Sequence, residues 1–115
     1  VSGTGFRTGF MAMKQLMQKN PNMTAVFAFS DVLAIGAAKA ALSGGKRIPE
    51  DISIIGFDGI EMMEFYNPAL DTVYQPATEM ALSAVSLLQG MMNGEKSQHI
   101  VYDSVIMKRG SVKKI

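Results

Sequence analysis

The sequence has no cysteine and a single histidine, His99, and these two shortages remove much of the chemistry on which enzymes depend. Without cysteine there are no disulfides and no thiolate metal ligands, although a reducing cytosol and a cysteine-poor secreted protein both fit this composition. A catalytic triad would have to use His99, which stands at the start of a late strand pattern and far from any serine in a strained elbow. We therefore expect a surface histidine and a protein that is not an enzyme.

Charged residues and long apolar runs are also scarce. Only 18% of the 115 residues are charged and the net charge is +1, which is too small to indicate a nucleic-acid surface. The basic residues cluster only in the tail, at Lys108, Arg109, Lys113 and Lys114. No apolar run approaches the roughly 18 to 20 residues that a membrane span needs. We therefore expect one small globular domain that contacts neither a membrane nor, through these residues, DNA.

Two patterns superficially suggest a bound ion or cofactor, and both fail on spacing. The carboxylates of Asp51, Asp58, Glu61 and Glu64 crowd together in sequence, but they lack the spacing of an EF-hand loop. The glycine-rich segment 3–9 lacks both the dinucleotide-binding spacing and a preceding strand. We therefore expect caps and solvated charges instead of a metal site, and no cofactor.

What the chain does contain is a regular alternation of helix and strand patterns. Apolar residues recur at intervals of three and four in the helical stretches, whereas the strand stretches are short and apolar. The predicted elements are a helix over 4–19, a strand over 24–29, a helix over 32–42, a strand over 52–57, a short amphipathic stretch over 62–66, a strand over 71–75, a helix from Pro76 to Met92, and a strand over 99–107. This order predicts an α/β structure, a parallel sheet with flanking helices and right-handed crossovers.

Small polar residues directly follow two of the strands that read as buried. Ser30-Asp31 comes after the strand over 24–29, and Asp58-Gly59 comes after the strand over 52–57. In open α/β sheets ligands gather beyond the carboxyl ends of the strands, so we expect both pairs to line one edge of the sheet. Each pair also has an interpretation that needs no ligand. Ser30 and Asp31 can cap the next helix, and Asp58 can bond to backbone N–H groups of its own turn.

Four blocks of the chain are distinctive: FAFSDVLAIGA at 27–37, GKRIPEDISIIGFD at 45–58, NPALDTVYQP at 67–76 and RGS at 109–111. Together they closely resemble the C-terminal part of the lactose-repressor and galactose-repressor family of bacterial transcription regulators. The resemblance implies the periplasmic-binding-protein-like fold, in which two α/β subdomains enclose a small effector. Residues 1–73 would belong mostly to the C-terminal subdomain, residues 74–107 to the crossover with a helix and strand of the other subdomain, and residues 108–115 to a return tail. The DNA-binding headpiece would be absent, and a start at Val1 instead of Met fits a piece of a longer protein.

The resemblance also implies where an effector would bind. Asp58 matches the family's strand-end aspartate that hydrogen-bonds effector hydroxyls, Ser30 matches a position usually held by an asparagine, and Gln75 lies at the crossover between subdomains. In the first helix the family commonly has an arginine three residues before a Gly-Phe pair, where this chain has Phe6, with Arg7 one place later. Phe6 and Arg7 are therefore further candidate ligand residues, and the Phe6 ring could stack on a sugar or a base.

The family dimerises through the same subdomain, which implies an interface on two segments. The implied interface residues are Ile35, Ala38 and Lys39 in one helix, and Met62, Phe65 and Tyr66 after the Phe-Asp turn. The apolar and aromatic character of the second segment suits an interface core, although packing within one chain is the alternative. The helix from Pro76 to Met92 would also expose an apolar stripe, so we expect a homodimer, a higher oligomer or a swapped arrangement.

The function that the resemblance implies is that of a cytoplasmic transcription regulator. A small polar effector, such as a sugar or sugar derivative, would control DNA binding by a separate helix-turn-helix domain. The alternative is a periplasmic sugar-binding protein of a transporter, because the Gly56-Phe-Asp-Gly59 motif and the fold occur there too. The Ile48-Pro-Glu-Asp51 turn and the Arg109-Gly-Ser111 ending favour the regulator.

Overall fold

The computed structural model describes residues 2–114, so the expectations that concern Val1 and Ile115 lie outside the described residues. The helices are α1 (Phe6–Lys19), α2 (Asp31–Ser43), α3 (Met62–Phe65) and α4 (Ala77–Met92). The strands are β1 (Ala25–Phe27), β2 (Ser53–Asp58), β3 (Asp71–Tyr74) and β4 (Val105–Met107). Each of these elements corresponds to a predicted one, in the predicted order.

The strands form one sheet in the order β1-β2-β3-β4. β1, β2 and β3 run parallel, and β4 is antiparallel to β3. The register between β2 and β3 sets Gly56 beside Thr72 and Asp58 beside Tyr74. Because the parallel strands point the same way, the residues that follow them meet at one edge of the sheet. The predicted α/β sheet is therefore confirmed, with one antiparallel strand added at its side.

The core is built around α2, an alanine-rich helix that packs against both α1 and β2. α1 and α2 cross at very short range: a Cβ on Gly36 would stand 2.1 Å from the carbonyl oxygen of Phe6 and 2.8 Å from the amide nitrogen of Phe10. Backbone atoms cannot move aside as the ends of side chains can, so this crossing requires glycine at residue 36. The buried apolar residues are Met13, Ala28, Ala34, Ile35, Ala37, Ala38, Ala40, Ala41, Ile48, Ile52, Ile54, Met63 and Leu70.

The prediction that the strand over 24–29 is buried is wrong. β1 is three residues long, and the side chains of Phe27 and Phe29 are 61% and 66% exposed. The physical reason is position, since β1 is the outermost strand of the sheet over residues 2–114 and has a strand neighbour on one side only. The Phe27 ring meets the Phe57 ring edge to face, with centroids 6.4 Å apart, instead of entering the core. A short apolar run looks alike in sequence whether its strand is central or marginal.

The last strand is shorter than predicted, because β4 spans Val105–Met107 and not the whole of 99–107. β3 ends opposite Val105, at Tyr74, and the chain then turns into α4, so the residues before β4 have no strand to pair with. They lie along α4 instead, where the Tyr102 hydroxyl is 2.5 Å from Ser83 Oγ and 3.2 Å from the Glu79 carbonyl oxygen. The alternation of apolar and polar residues in the sequence therefore predicts too long a strand here, because the length of β4 is limited by the strand with which it pairs.

The segment after β4 packs onto the start of β3, where the buried carboxyl of Asp71 holds it. One oxygen of Asp71 accepts hydrogen bonds from the backbone N–H groups of Arg109, Gly110 and Ser111, at 2.9, 2.7 and 2.8 Å. Ser111 is itself buried, and its hydroxyl donates to the Ile54 carbonyl oxygen at 2.5 Å. The Arg-Gly-Ser block thus joins the tail to both β2 and β3.

α4 differs from the other long helices, because none of its 16 residues is buried among the described part of the chain. Its apolar side chains are exposed, including Leu82, Val85, Leu88 and Met92 at 68%, 56%, 59% and 79%. The predicted exposure of an apolar stripe on this helix is therefore confirmed. The molecule is correspondingly elongated, 58 Å long and 29 by 23 Å across. Over residues 2–114, no helix is both long and apolar enough to cross a membrane.

Candidate functional site

Asp58 is the last residue of β2 and lies half-buried at the edge where the parallel strands end. Its φ is 125°, and it is the only non-glycine residue with a positive φ among residues 2–114. A residue with a side chain rarely adopts such a φ, because Cβ collides with the neighbouring backbone. Strained backbone of this kind persists only where the surrounding structure holds it, which is typical of functional sites. The turn after β2 is therefore a candidate site on backbone geometry alone.

Gln75 holds Asp58 by two hydrogen bonds. The backbone N–H of Gln75 donates to the Asp58 carbonyl oxygen at 3.1 Å, and its Nε2 donates to the Asp58 carboxyl at 3.0 Å. The structure thus brings these two predicted ligand residues together at the ends of neighbouring strands. A carboxylate can accept about four hydrogen bonds, and the amide oxygen of glutamine can accept about two. The pair therefore has acceptor positions left for the hydroxyl groups of a ligand.

Ser30 caps α2, as the sequence predicted for a helix start. Its Oγ accepts a hydrogen bond from the Leu33 N–H at 3.3 Å, and its backbone is extended, as an N-cap requires. A hydroxyl that accepts one hydrogen bond can still donate its proton, so capping leaves Ser30 able to bind an acceptor on a ligand. Because β1 pairs with β2, Ser30 follows the strand next to the one that ends at Asp58.

Asp31 is completely buried and bonds to the turn that contains Asp58. Its Oδ2 accepts hydrogen bonds from the N–H groups of Gly59 and Ile60, at 2.7 and 2.8 Å. Its Oδ1 accepts one from the Thr72 hydroxyl at 2.5 Å. The Ser30-Asp31 and Asp58-Gly59 pairs therefore lie together at one edge of the sheet, as the sequence predicted.

Glycine at two positions makes this arrangement possible. A Cβ on Gly56 would stand 2.2 Å from Oδ1 of Asp31, so a larger residue would displace the carboxyl. Gly59 has a φ of 84°, and a Cβ there would stand 2.5 Å from the Tyr74 ring. Sequence reasoning missed the contact between Asp31 and the turn. Gly56 was the available signal, because glycine inside an apolar strand marks a close approach by another group.

Phe6 and Arg7 lie in the first turn of α1. They line a groove of about 300 Å³ whose other walls are Phe10, Ile35, Gly36, Lys39 and Tyr66. Asp58, Ser30 and Gln75 are not among the residues that line it. Burial raises the pKa of the Tyr66 phenol above its usual value. The structure thus places Phe6 and Arg7 beside three of the predicted interface residues.

The predicted interface residues differ in how exposed their side chains are. Ile35 and Ala38 are only 7% and 0% exposed because they face the core, so Ala38 offers no surface to a partner. Lys39 is exposed, and Met62 and Phe65 are 51% and 75% exposed. The available surface on this side therefore lies at residues 39, 62 and 65 and in the groove beside them.

The carboxylates that crowd together in sequence do not gather around one point. Among residues 2–114, no three or more histidine, aspartate or glutamate side chains are placed to hold a metal ion. Asp51 pairs with Arg47 instead, through side-chain hydrogen bonds of 3.0 and 2.9 Å. Hydrogen bonding to Arg47 holds the pKa of Asp51 well below its usual range. This ion pair lies before β2, at the opposite end of the strand from Asp58.

The family of periplasmic binding protein-like domains matches residues 3–112 of this chain. Among curated proteins, the HTH-type transcriptional regulator MalR of Clostridium butyricum is 39% identical over 105 residues, which are 90% of this chain and 31% of that protein. The chain thus spans about a third of the length of the curated relatives it matches. These relatives are named as transcription regulators, which points away from an enzyme.

Solved structures give the same result. A LacI family transcriptional regulator from Arthrobacter sp. FB24 in complex with lactose has a TM-score of 0.85 and 28% identity, and the match covers 98% of this chain and 43% of that one. A LacI family regulator from Enterococcus faecium with bound ribose has a TM-score of 0.87 and 31% identity, over 96% of this chain and 42% of that one. The chain therefore belongs to the periplasmic binding protein-like domain family and, within it, to the LacI family of transcription regulators.

Proposed function

We propose that this chain is the effector-binding and self-association region of a transcription regulator, and that it binds a sugar or sugar derivative at Asp58. The observation that carries the proposal is the hydrogen-bonded pair of Asp58 and Gln75 at the carboxyl ends of two parallel strands. Ligands of open α/β sheets bind at such edges, and clustered acceptors suit the hydroxyl groups of a sugar. Two structural relatives hold lactose and ribose.

In this proposal DNA is bound by a helix-turn-helix domain outside the chain, and the regulator acts in the cytoplasm. The name of the curated relative, an HTH-type regulator, supports that arrangement. A net charge of +1 gives these 115 residues themselves little attraction for a nucleic acid. The alternative of a periplasmic sugar-binding protein is not favoured, because the matched relatives are named as transcription regulators.

The proposed partner for self-association is a second copy of the chain. Met62 and Phe65 provide exposed apolar area in the segment that ends at Tyr66. Tyr66 and Lys39 line the groove together with Phe6 and Arg7. Apolar and aromatic side chains are enriched at the centres of such interfaces. We therefore propose that Phe6 and Arg7 belong to the self-association surface. The proposed effector-binding residues are Asp58, Gln75 and Ser30.

The test is a thermal-shift measurement with ribose, lactose and other simple sugars on the intact regulator that contains this chain. A sugar that binds only the native state stabilises it, by about 2.7 kcal/mol at a concentration 100 times the Kd. We expect Asp58→Ala to abolish the shift that the best sugar produces. Glu61→Ala is the matched control, because Glu61 is an exposed carboxylate three residues further on. An unchanged shift in Asp58→Ala would show that the site is assigned to the wrong residue.

A further inference from the structure

The buried carboxyl of Asp31 connects three separate parts of the fold at the proposed site. It begins α2, accepts two backbone N–H groups from the turn after β2, and accepts the Thr72 hydroxyl from β3. We propose that Asp31 is a positioning residue, which fixes the turn so that Asp58 is presented to a sugar and does not itself touch the sugar. This inference rests on the proposed function of Asp58.

The first argument is the conformation that needs support. Asp58 and Gly59 have φ values of 125° and 84°, and an aspartate does not hold the former without constraint from its surroundings. The two N–H groups that follow Asp58, those of Gly59 and Ile60, both donate to one oxygen of Asp31. Gln75 bonds to Asp58 itself, through the carbonyl oxygen and the carboxyl. Asp31 therefore holds the residues that follow Asp58, and Gln75 holds Asp58 itself.

The second argument is the lack of space for the carboxyl to move. It lies against the β2 backbone at Gly56, where an added Cβ would come within 2.2 Å of Oδ1. The same added atom would stand 2.8 Å from Met63 Cε and 3.1 Å from Ala34 Cβ. Side chains locked by packing hold a binding residue in place more closely than mobile ones do. The site thus has a rigid support beneath the strand that ends at Asp58.

Asp71 supplies a control within the same fold. Like Asp31, it is a buried aspartate that accepts backbone N–H groups, in this case three of them. Those groups belong to residues 109–111 and not to the turn after β2. Loss of either carboxyl leaves buried donors without partners and destabilises the fold, but only loss of Asp31 frees the turn that carries Asp58.

The binding test uses the intact regulator with Asp31→Ala, Asp31→Asn and Asp71→Ala, titrated with ribose and with lactose below the melting temperature of every variant. We expect Asp31→Ala to weaken sugar affinity by on the order of tenfold. Asp31→Asn should retain most of it, because the amide oxygen can accept from Gly59 and Ile60 while the amide nitrogen donates to the Thr72 hydroxyl. Asp71→Ala should lower the melting temperature and leave the affinity within about twofold, because the Asp71 carboxyl accepts its backbone hydrogen bonds from residues 109–111. Equal affinity in Asp31→Ala and the wild type would overturn the proposal.

Hydrogen exchange tests the inference without any sugar. In the wild-type regulator the amides of Gly59 and Ile60 should exchange slowly, because both are bonded to a buried acceptor. Asp31→Ala should speed their exchange and Asp71→Ala should not. If Asp31→Ala does not fold, hydrogen exchange of the wild-type regulator still tests the proposal. Fast exchange of the Gly59 and Ile60 amides in the wild type would overturn it. Protected amides in a protein that binds neither sugar would support Asp31 as the anchor of the turn and count against the proposed function.

Discussion

Two helices of this chain are similarly apolar and have opposite environments. α2 lies in the body of the molecule, residues 6–74, and has eight buried residues, whereas α4 lies in the arm, residues 77–104, and has none. The difference comes from partners, since α1 and β2 cover α2 and no described element covers α4 to the same degree. Hydrophobicity along the sequence therefore predicts which surfaces need a partner, and it does not predict whether that partner lies in the same chain.

The same contrast separates the two ends of β2. The Asp58 end is built of buried or half-buried hydrogen bonds between segments distant in sequence, whereas the other end begins with an exposed ion pair between Arg47 and Asp51. Interactions in a low-dielectric interior are stronger than those that water and salt screen. Substitutions should thus have large effects in the body, moderate effects in the arm and small effects at the surface.

The largest expected effect comes from the same substitution made once in each region. Gly36→Ala drives a methyl group into the backbone of α1 and should destabilise the protein by about 1 to 3 kcal/mol. Gly90→Ala in α4 meets only the flexible side chain of Glu95 and should stabilise the helix by about 0.5 to 1 kcal/mol. Thermal unfolding followed by circular dichroism measures both. Melting temperatures that move in the same direction would break the distinction between body and arm.

A moderate effect is expected for self-association. The double variant Val85→Glu with Leu88→Glu adds charge to the exposed apolar stripe of α4. It should remove the association that this stripe supports, in addition to the proposed interface at Met62 and Phe65, and shift the chain towards smaller species in sedimentation velocity. Because no α4 residue is buried, the melting temperature of the body should hardly change. Ser86→Glu adds a charge at an exposed position about 100° around the helix from Val85, so it is the matched control and should disturb association less than the double variant does. A wild-type chain that sediments as a monomer at all concentrations would contradict this prediction.

The smallest effect is expected at the ion pair before β2. Hydrogen bonding to Arg47 lowers the pKa of Asp51 in the folded protein, so the pair stabilises the fold above the unfolded-state pKa and ceases to do so as the pH falls through the folded one. Asp51→Asn should therefore lower the melting temperature slightly at pH 7. The difference should shrink as the pH falls below about 4, the unfolded-state value, and vanish once the pH has fallen through the lowered pKa of the folded state. Added salt should reduce it as well. If the melting-temperature difference between the wild type and Asp51→Asn grew on acidification, the predicted pH dependence would be wrong.

Particular residues show how far sequence reasoning reaches. Ser30 was recognised as a cap because capping depends on residues three positions apart, and Asp58 was recognised as a strand end because β2 is apolar along almost its whole length. The length of β4 and the exposure of Phe27 were misjudged, because each depends on a neighbouring strand and not on the segment itself.

The sequence by itself determined the order of helices and strands, the parallel sheet and the edge at which Asp58 lies. These follow from periodicity, caps and turn residues, which act over a few positions along the chain. Only the tertiary structure decided that Asp31 is buried beneath the Asp58 turn and that Phe6 and Arg7 share a groove with Lys39 and Tyr66. The bonds of Asp31 join it to residues 28 and 41 positions away, and such contacts depend on which strands become neighbours once the core has formed.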